Sequence, residues 1–156
     1  MQLSNIKVIV ISIANPILVG IYENDILINT IEKEGKTSDI LPSIFEQILL
    51  KYSVNDIFYV NGPGSYMAIK IAYVFLKTIS IVNKINLHAV SGFEFNNNSP
   101  IKALGKKYFF RDSSDEHNII IDFLEQNVIE GFKLPEKFIN IPYTDNVLPE
   151  YNLPAV

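Results

Sequence analysis

Cysteine and tryptophan are absent, and arginine occurs once, at Arg111. Without cysteine the chain has neither a disulfide framework nor a thiolate metal site. A single arginine and a net charge of −4 make it a poor stand-alone binder of nucleic acid, which needs clustered cations to neutralise phosphates. Histidine is scarce as well. His88 stands in a strand-like run and His117 in a polar one, with no His-x-x-x-His spacing, so no metal site is read from them. No Asp or Glu precedes Glu23, which removes any early Mg²⁺ ligand. No apolar run is both long and uncharged enough to span a bilayer, and no basic–apolar–small leader precedes Ile6. The expectation is a cytoplasmic protein with no membrane partner.

What is present is an ordinary globular balance, 48% hydrophobic and 19% charged over 156 residues, enough for a core in one or two small lobes. The chain is organised around Asn61-Gly62-Pro63-Gly64-Ser65-Tyr66. A short apolar strand, Ile57 to Val60, enters this stretch, and a helical run to Val82 leaves it. Gly62 and Gly64 permit close backbone approach, Pro63 sets the turn between them, and Ser65 is placed to cap the helix. Such a strand–turn–helix joint serves either as an anion cradle or as a plain structural turn.

The helix after the turn is apolar almost all round, from Met67, Ile69 and Ile71 through Val74, Phe75 and Leu76 to Ile79, Ile81 and Val82. Its only charges, Lys70 and Lys77, are seven apart on one stripe and argue against a membrane span. A helix of this kind is covered on more than one side. One face packs on a sheet, and a second chain is expected to cover the other.

Around the turn the sequence reads as alternating strands and helices. Ile6 to Ile13 is a strand buried on both faces, broken by Asn15-Pro16. Ile17 to Tyr22 and Ile26 to Ile31 form a hairpin through Glu23-Asn24-Asp25. A helix over 38–52 carries Ile40, Leu41, Ile44, Phe45, Ile48 and Leu49 on one broad stripe. With the helix over 65–82 it flanks the strand Ile57 to Val60 in a right-handed arrangement. Leu87 to Val90 returns as a strand. Phe95 to Pro100 is a linker by composition, placing a lobe boundary between 1–95 and 96–156. Ile101 to Leu104 and Lys107 to Phe110 form a second hairpin across Gly105-Lys106, Ile119 to Val128 is strand or helix, and Phe138 to Ile141 is a short strand. The acidic pairs Asp115-Glu116 and Asp122-Glu125 read as solvated surface.

The segment Val60 to Lys70 resembles the Gly-Arg-Gly-Pro-Gly-Ser-Phe-Thr-Gly-Leu-Arg signature of the TsaB family, also called YeaZ. These are the non-catalytic subunits of the bacterial machinery that makes threonylcarbamoyladenosine in tRNA. In the same order along the chain, Val90-Ser91-Gly92 resembles the family's Val-Ser-Ser-Leu. Ala103-Leu104-Gly105-Lys106-Lys107-Tyr108 resembles Asp-Ala-Arg-x-Gly-Glu-Val-Tyr, and Pro149-Glu150-Tyr151-Asn152 resembles Pro-x-Tyr-Leu-Arg. Asn61, Met67 and Ala68 depart from it, replacing arginine, threonine and glycine. Loss of that arginine removes a bidentate anion ligand.

The resemblance implies an α/β chain: an actin-like lobe (sugar kinase–Hsp70–actin superfamily) with a mixed sheet flanked by helices, followed by a truncated second lobe. It implies a scaffold subunit with no catalytic residue and no metal of its own, which supports the homologue TsaD, with the ATPase TsaE, in threonylcarbamoyl transfer to adenosine 37 of ANN-decoding tRNAs. tRNA is met only through the complex, and ATP only at a subunit interface. The surface assigned to TsaD, or to a second copy when TsaD is absent, comprises Met67, Lys70, Ile71, Val74, Lys77, Thr78 and Ile81 with Ile44 and Ile48 of the preceding helix. Gly62, Pro63, Gly64 and Ser65 form the turn motif. Two other readings stand beside this one: a small ATP-dependent phosphotransferase of the sugar-kinase superfamily, and a peptidase of the glycoprotease-like branch. The first lacks the phosphate-side carboxylate, since Ile11 or Ser12 occupies that position. The second lacks a nucleophile–base pair local in sequence.

Overall fold

A five-stranded mixed sheet forms because its three inner strands alternate apolar side chains between two faces, both buried, while the edge strand over 26–33 is largely exposed. The computed structural model describes residues 4–112, 114–115, 118–124 and 129–152. The sheet order is β3-β2-β1-β4-β5, with β1 Ile6–Ile11, β2 Ile17–Glu23, β3 Ile26–Lys33, β4 Asp56–Val60 and β5 Asn86–Val90. β1, β2 and β3 pair antiparallel, whereas β1–β4 and β4–β5 pair parallel, with Val8 opposite Ile57 and Phe58 opposite His88. Parallel neighbours need a crossover. Helices α1 (Thr37–Lys51) and α2 (Tyr66–Asn83) supply the two crossovers.

Both helices cover the same face. Val8, Val10, Val19, Ile57, Tyr59 and Ala89 of the sheet pack there with Leu41, Ile44, Phe45 and Ile48 of α1 and Ala72 and Leu76 of α2. The opposite face, with Ile9, Ile11, Tyr22, Phe58, Val60 and Val90, is equally apolar and carries no helix of the pair. It is closed instead by Phe95 and by the irregular segment after residue 129, through Phe132, Leu134, Phe138 and Ile141. Phe138 lies 4.5 Å from the Phe58 ring and meets Tyr22 edge-on at 6.0 Å. The Tyr22 hydroxyl donates to the Pro135 carbonyl at 2.6 Å. Burial pushes the ionisation of that hydroxyl far up, so it remains a donor at all ordinary pH.

A second, three-stranded antiparallel sheet follows, with β6 Ile101–Lys102, β7 Lys107–Arg111 and β8 Ile119–Phe123. Its Phe109 and Ile101 pack with Phe93 in a small core of their own. Arg111 anchors its inner end. The guanidinium donates to Glu94 at 2.6 Å and to Asn98 Oδ1 at 2.7 Å, and lies 5.1 Å from the Phe93 ring centre.

The structure departs from the sequence reading in two places and decides a third that the sequence left open. Phe95 to Pro100, a linker by composition, is partly packed: Phe95, Asn96 and Ser99 are buried, Asn97 and Asn98 are exposed, and Asn96 donates to the Ser99 carbonyl. Phe138 to Ile141 forms no strand. Asn140 has φ 56, the segment touches the sheet through one bridge, between Lys137 and Ile26, and the side chain of Phe138 does the packing. The undecided run after Ile119 is strand as far as Phe123, and residues 125–128 lie outside the described residues.

Gly20 tests how closely the irregular segment is fitted to the sheet. A Cβ there would lie 3.0 Å from the Tyr22 ring and 3.1 Å from both terminal carbons of Leu134. Strand propensity favours a β-branched residue by at most about 1 kcal/mol. Overpacking costs about 1–3 kcal/mol, and so decides the sign. Gly20→Val is expected to lower unfolding stability by about 2 kcal/mol in urea titration, with an unchanged slope. A more stable variant would mean that Leu134 does not rest on Gly20.

Candidate functional site

The glycine turn is filled by the chain itself. Asn61 is buried at the end of β4, and its side-chain amide donates to the Leu148 carbonyl at 3.0 Å. The Glu150 N–H donates to the Asn61 carbonyl at 2.8 Å, and the Tyr59 hydroxyl donates to the Val147 carbonyl. Burial raises the Tyr59 hydroxyl far above the usual phenol range, with the neighbouring Tyr73, Tyr151 and Glu150 acting in the same direction. Gly62 has φ +140, and a Cβ on it would lie 2.3 Å from the Glu150 carbonyl oxygen. Only glycine admits that approach. On the other side the Gly92 N–H donates to the Gly62 carbonyl at 2.9 Å. The Tyr151 ring then stacks on Tyr66, at 4.3 Å, in the first turn of α2.

Three of the four quoted motifs therefore meet at one point: Asn61-Gly62, Val90 to Gly92, and Pro149 to Tyr151. The space beside Gly62 that an anion would enter holds the Glu150 backbone. Ser65 occupies the N-cap position with extended φ and ψ, yet its hydroxyl makes no capping bond. The turn is structural, and Ser65 is not the cap that the sequence suggests.

The outward side of α2 is the other candidate surface. Ile69, Ala72, Leu76 and Ser80 face inward, while Met67 (57% exposed), Val74 (54%) and Ile81 (68%) run along the outside with Lys70, Lys77 and Thr78. Ile71 is half-buried between them. Between α1 and α2 lies a shallow groove of about 460 Å³, lined chiefly by Pro42, Met67, Ile71, Val74, Phe75 and Thr78. By length and composition α2 would also cross a membrane, but its inner face is packed in this fold.

Ile44 and Ile48 do not belong to that surface. Each is 2% exposed and turned into the core beneath α1, so no partner reaches them. The stripe of α1 that the sequence marks as apolar is its sheet-facing side, and the residues it offers to the groove are Thr37, Ser38 and Pro42.

His88 ties β5 to β4 and to the segment beyond residue 142. Its Nε2 lies 2.8 Å from an Asp56 oxygen and its Nδ1 2.6 Å from an Asp145 oxygen, with the ring stacked on Phe58 at 4.6 Å. Neither nitrogen is left for a hydroxyl nucleophile. Sequence spacing gave no sign of this clamp, because its carboxylates stand 32 positions before and 57 after. His117, Glu116 and Glu125 lie outside the described residues. Among the described residues no group of three or more His, Asp or Glu side chains is arranged to hold a metal ion.

The mixed-sheet α/β fold sets the class of protein with which this chain compares. No protein-family model matches the chain, and no curated protein matches it in sequence. Solved structures do match in fold. YeaZ from Pseudomonas aeruginosa superposes with a TM-score of 0.56 at 10% identity, over 81% of this chain and 67% of that one. An uncharacterized protein with similarity to peptidase YeaZ from Pseudomonas aeruginosa superposes with a TM-score of 0.59 at 11% identity, over 80% of this chain and 69% of that one. At such identities the likeness establishes a shared fold, the YeaZ-type fold.

The docked turn yields a direct test. Gly62→Ala sets a methyl against the Glu150 carbonyl at a φ that side chains rarely adopt, and is expected to cost about 2–3 kcal/mol. The last segment should also become more open to protease. Ser65→Ala, which removes no hydrogen bond, should change stability by less than about 0.5 kcal/mol. An unchanged urea midpoint for Gly62→Ala would mean that the turn and the last segment are not packed together.

Proposed function

We propose that this chain is a TsaB-type (YeaZ-type) scaffold subunit with an actin-like lobe, which holds a larger catalytic partner through the outward face of α2. The observation that carries this reading is the stripe Met67, Val74 and Ile81, all more than half exposed on a helix whose other side is core. Soluble chains seldom leave contiguous apolar surface uncovered unless something docks on it. Lys70 and Lys77 rim the stripe and suit a partner that offers carboxylates there. By the resemblance in the glycine turn, that partner is the TsaD-type subunit of the tRNA-modifying complex, with TsaE joining it. A second copy of the chain uses the same face when the partner is absent. Substrate tRNA is met through the complex, and the chain holds no nucleotide tightly by itself. The cytoplasm is where such a complex works.

Two features support the scaffold over the other classes. The glycine turn, where a phosphotransferase would seat phosphates, has the Glu150 carbonyl against Gly62. The word peptidase in the name of one structural neighbour raises a hydrolase reading, and both nitrogens of His88 are already engaged by carboxylates. A serine nucleophile needs one of them free.

Val74→Asp is the test of the docking face. Val74 is 54% exposed, so the variant should keep its circular dichroism and its urea midpoint. A charge brought unpaired into an apolar interface is costly, and the variant is therefore expected to lose association with TsaD and with itself in size-exclusion chromatography with light scattering. Complexes that form unchanged with a folded Val74→Asp chain would place the interface elsewhere.

A further inference from the structure

His88 sits between two carboxylates, and that sets a proton count. Its Nε2 lies 2.8 Å from an Asp56 oxygen and its Nδ1 2.6 Å from an Asp145 oxygen. An ionised carboxylate only accepts hydrogen bonds, and a neutral imidazole has a single N–H to donate. Both contacts are hydrogen bonds only while the ring carries two protons. A neutral ring would turn a lone pair toward one carboxylate at that distance, and that contact would become repulsive. The arrangement is that of an imidazolium held on both sides.

The two sides differ. The side chains of His88 and Asp56 are 13% and 19% exposed, whereas that of Asp145 is 83% exposed. Asp56 is fixed on β4 by its parallel pairing with β5, and Asp145 stands on the irregular segment that crosses the edge of β5. Lys7 lies opposite Asp56 on β1, but its ammonium is bonded to Asp25 at 2.7 Å. Tyr143, the remaining titratable neighbour, rests edge-on against the His88 ring at 4.9 Å and the Phe58 ring at 5.1 Å. An exposed ion pair is the one that water replaces most easily, so Asp145 is the side that yields. We propose that His88 is a proton-operated catch for the outer edge of this segment. As imidazolium it holds Asp145 and keeps the Tyr143 ring on Phe58. When the ring loses a proton, the N–H stays on Nε2 for Asp56, the Nδ1 lone pair repels Asp145, and the Asp145 and Tyr143 side chains turn to solvent. The catch is closed on the acid side of the histidine range and open on the alkaline side. The backbone pair of Thr144 with Ala89 and the bond of the Tyr59 hydroxyl to the Val147 carbonyl do not involve the ring, so the segment stays on the sheet in both states. Tyr143 and Thr144 also line a cleft of about 260 Å³ with Asn61, Ser91 and Arg111, and the catch sets how open its mouth is. Nothing in this rests on the docking role of α2.

The test is imidazole- and amide-detected NMR of the full ¹⁵N-labelled chain from about pH 5 to about pH 9, with His117→Gln used to assign the ring. Both ring nitrogens of His88 should appear as N–H at the acid end and Nε2 alone at the alkaline end. The amides of Thr144, Asp145 and Asn146 and the Tyr143 ring should shift in the same one-proton step. Asp145→Asn is the control. A side-chain amide both donates and accepts, so it suits either ring state. Asp145 is a surface side chain, and the variant should keep its circular dichroism and its ring titration while losing most of the step in those amides. A merely structural contact would leave that pH profile as it was. One or two N–H groups on His88 unchanged across the range, amides that ignore the ring's titration, or an undiminished step in Asp145→Asn would overturn the proposal.

Discussion

The central sheet is apolar on both faces, but its two crossover helices lie on one of them. Everything else in the fold follows from that imbalance. At about 2 kcal/mol for each large apolar side chain, an uncovered face bearing Ile9, Ile11, Phe58, Val60 and Val90 would cost about as much as a domain retains as net stability. Cover for Ile9, Ile11, Phe58, Val60 and Val90 comes from segments that are neither helix nor strand, above all residues 129–141. Phe138 and Leu134 act there as a helix stripe would, without the helix. Irregular backbone carries unpaired polar groups, and these are met one at a time: Leu27 N–H to Glu136, Phe138 N–H to Asp25, and Lys133 N–H to Phe95.

The same route brings the last described residues to the glycine turn. Once the chain has crossed the open face it pairs Thr144 with Ala89 at the edge of β5 and lays Glu150 against Gly62. The turn so filled is a joint between β4, the end of β5 and the final segment. It meets α2 directly through the Tyr151 ring, tilted against Tyr66. The helix that the joint holds carries the exposed stripe.

Much of this was legible in the sequence, for physical reasons. Short apolar runs bounded by turn residues placed β1, β2, β4 and β5 within two residues of their observed ends, since a strand buried on both faces tolerates little else. The all-round apolar character of residues 66–82 marked α2 as covered on more than one side, and in the structure one side packs on the sheet while the other is exposed. What could not be read depends on contacts far apart in the chain. Ile44 and Ile48 look like Met67 and Val74 in any local window, and only the seating of α1 on the sheet turns them inward. Phe138 to Ile141 has strand composition, but its neighbours are side chains of Tyr22 and Phe58 rather than a free edge. The His88 clamp and the occupied glycine turn join residues 57 and 87–89 positions apart, beyond any spacing rule.

If the segment after residue 129 is an integral layer of the fold rather than an appended tail, it opens only when the sheet does. Native-state hydrogen exchange at increasing denaturant measures this residue by residue. The amides of Phe138, Thr144 and Glu150, each bonded to the sheet, its hairpin turn or the glycine turn, should merge with those of β1 and β4 in one global opening of equal free energy and slope. Exchange of those three amides orders of magnitude faster and independent of denaturant, with β4 still protected, would contradict the account.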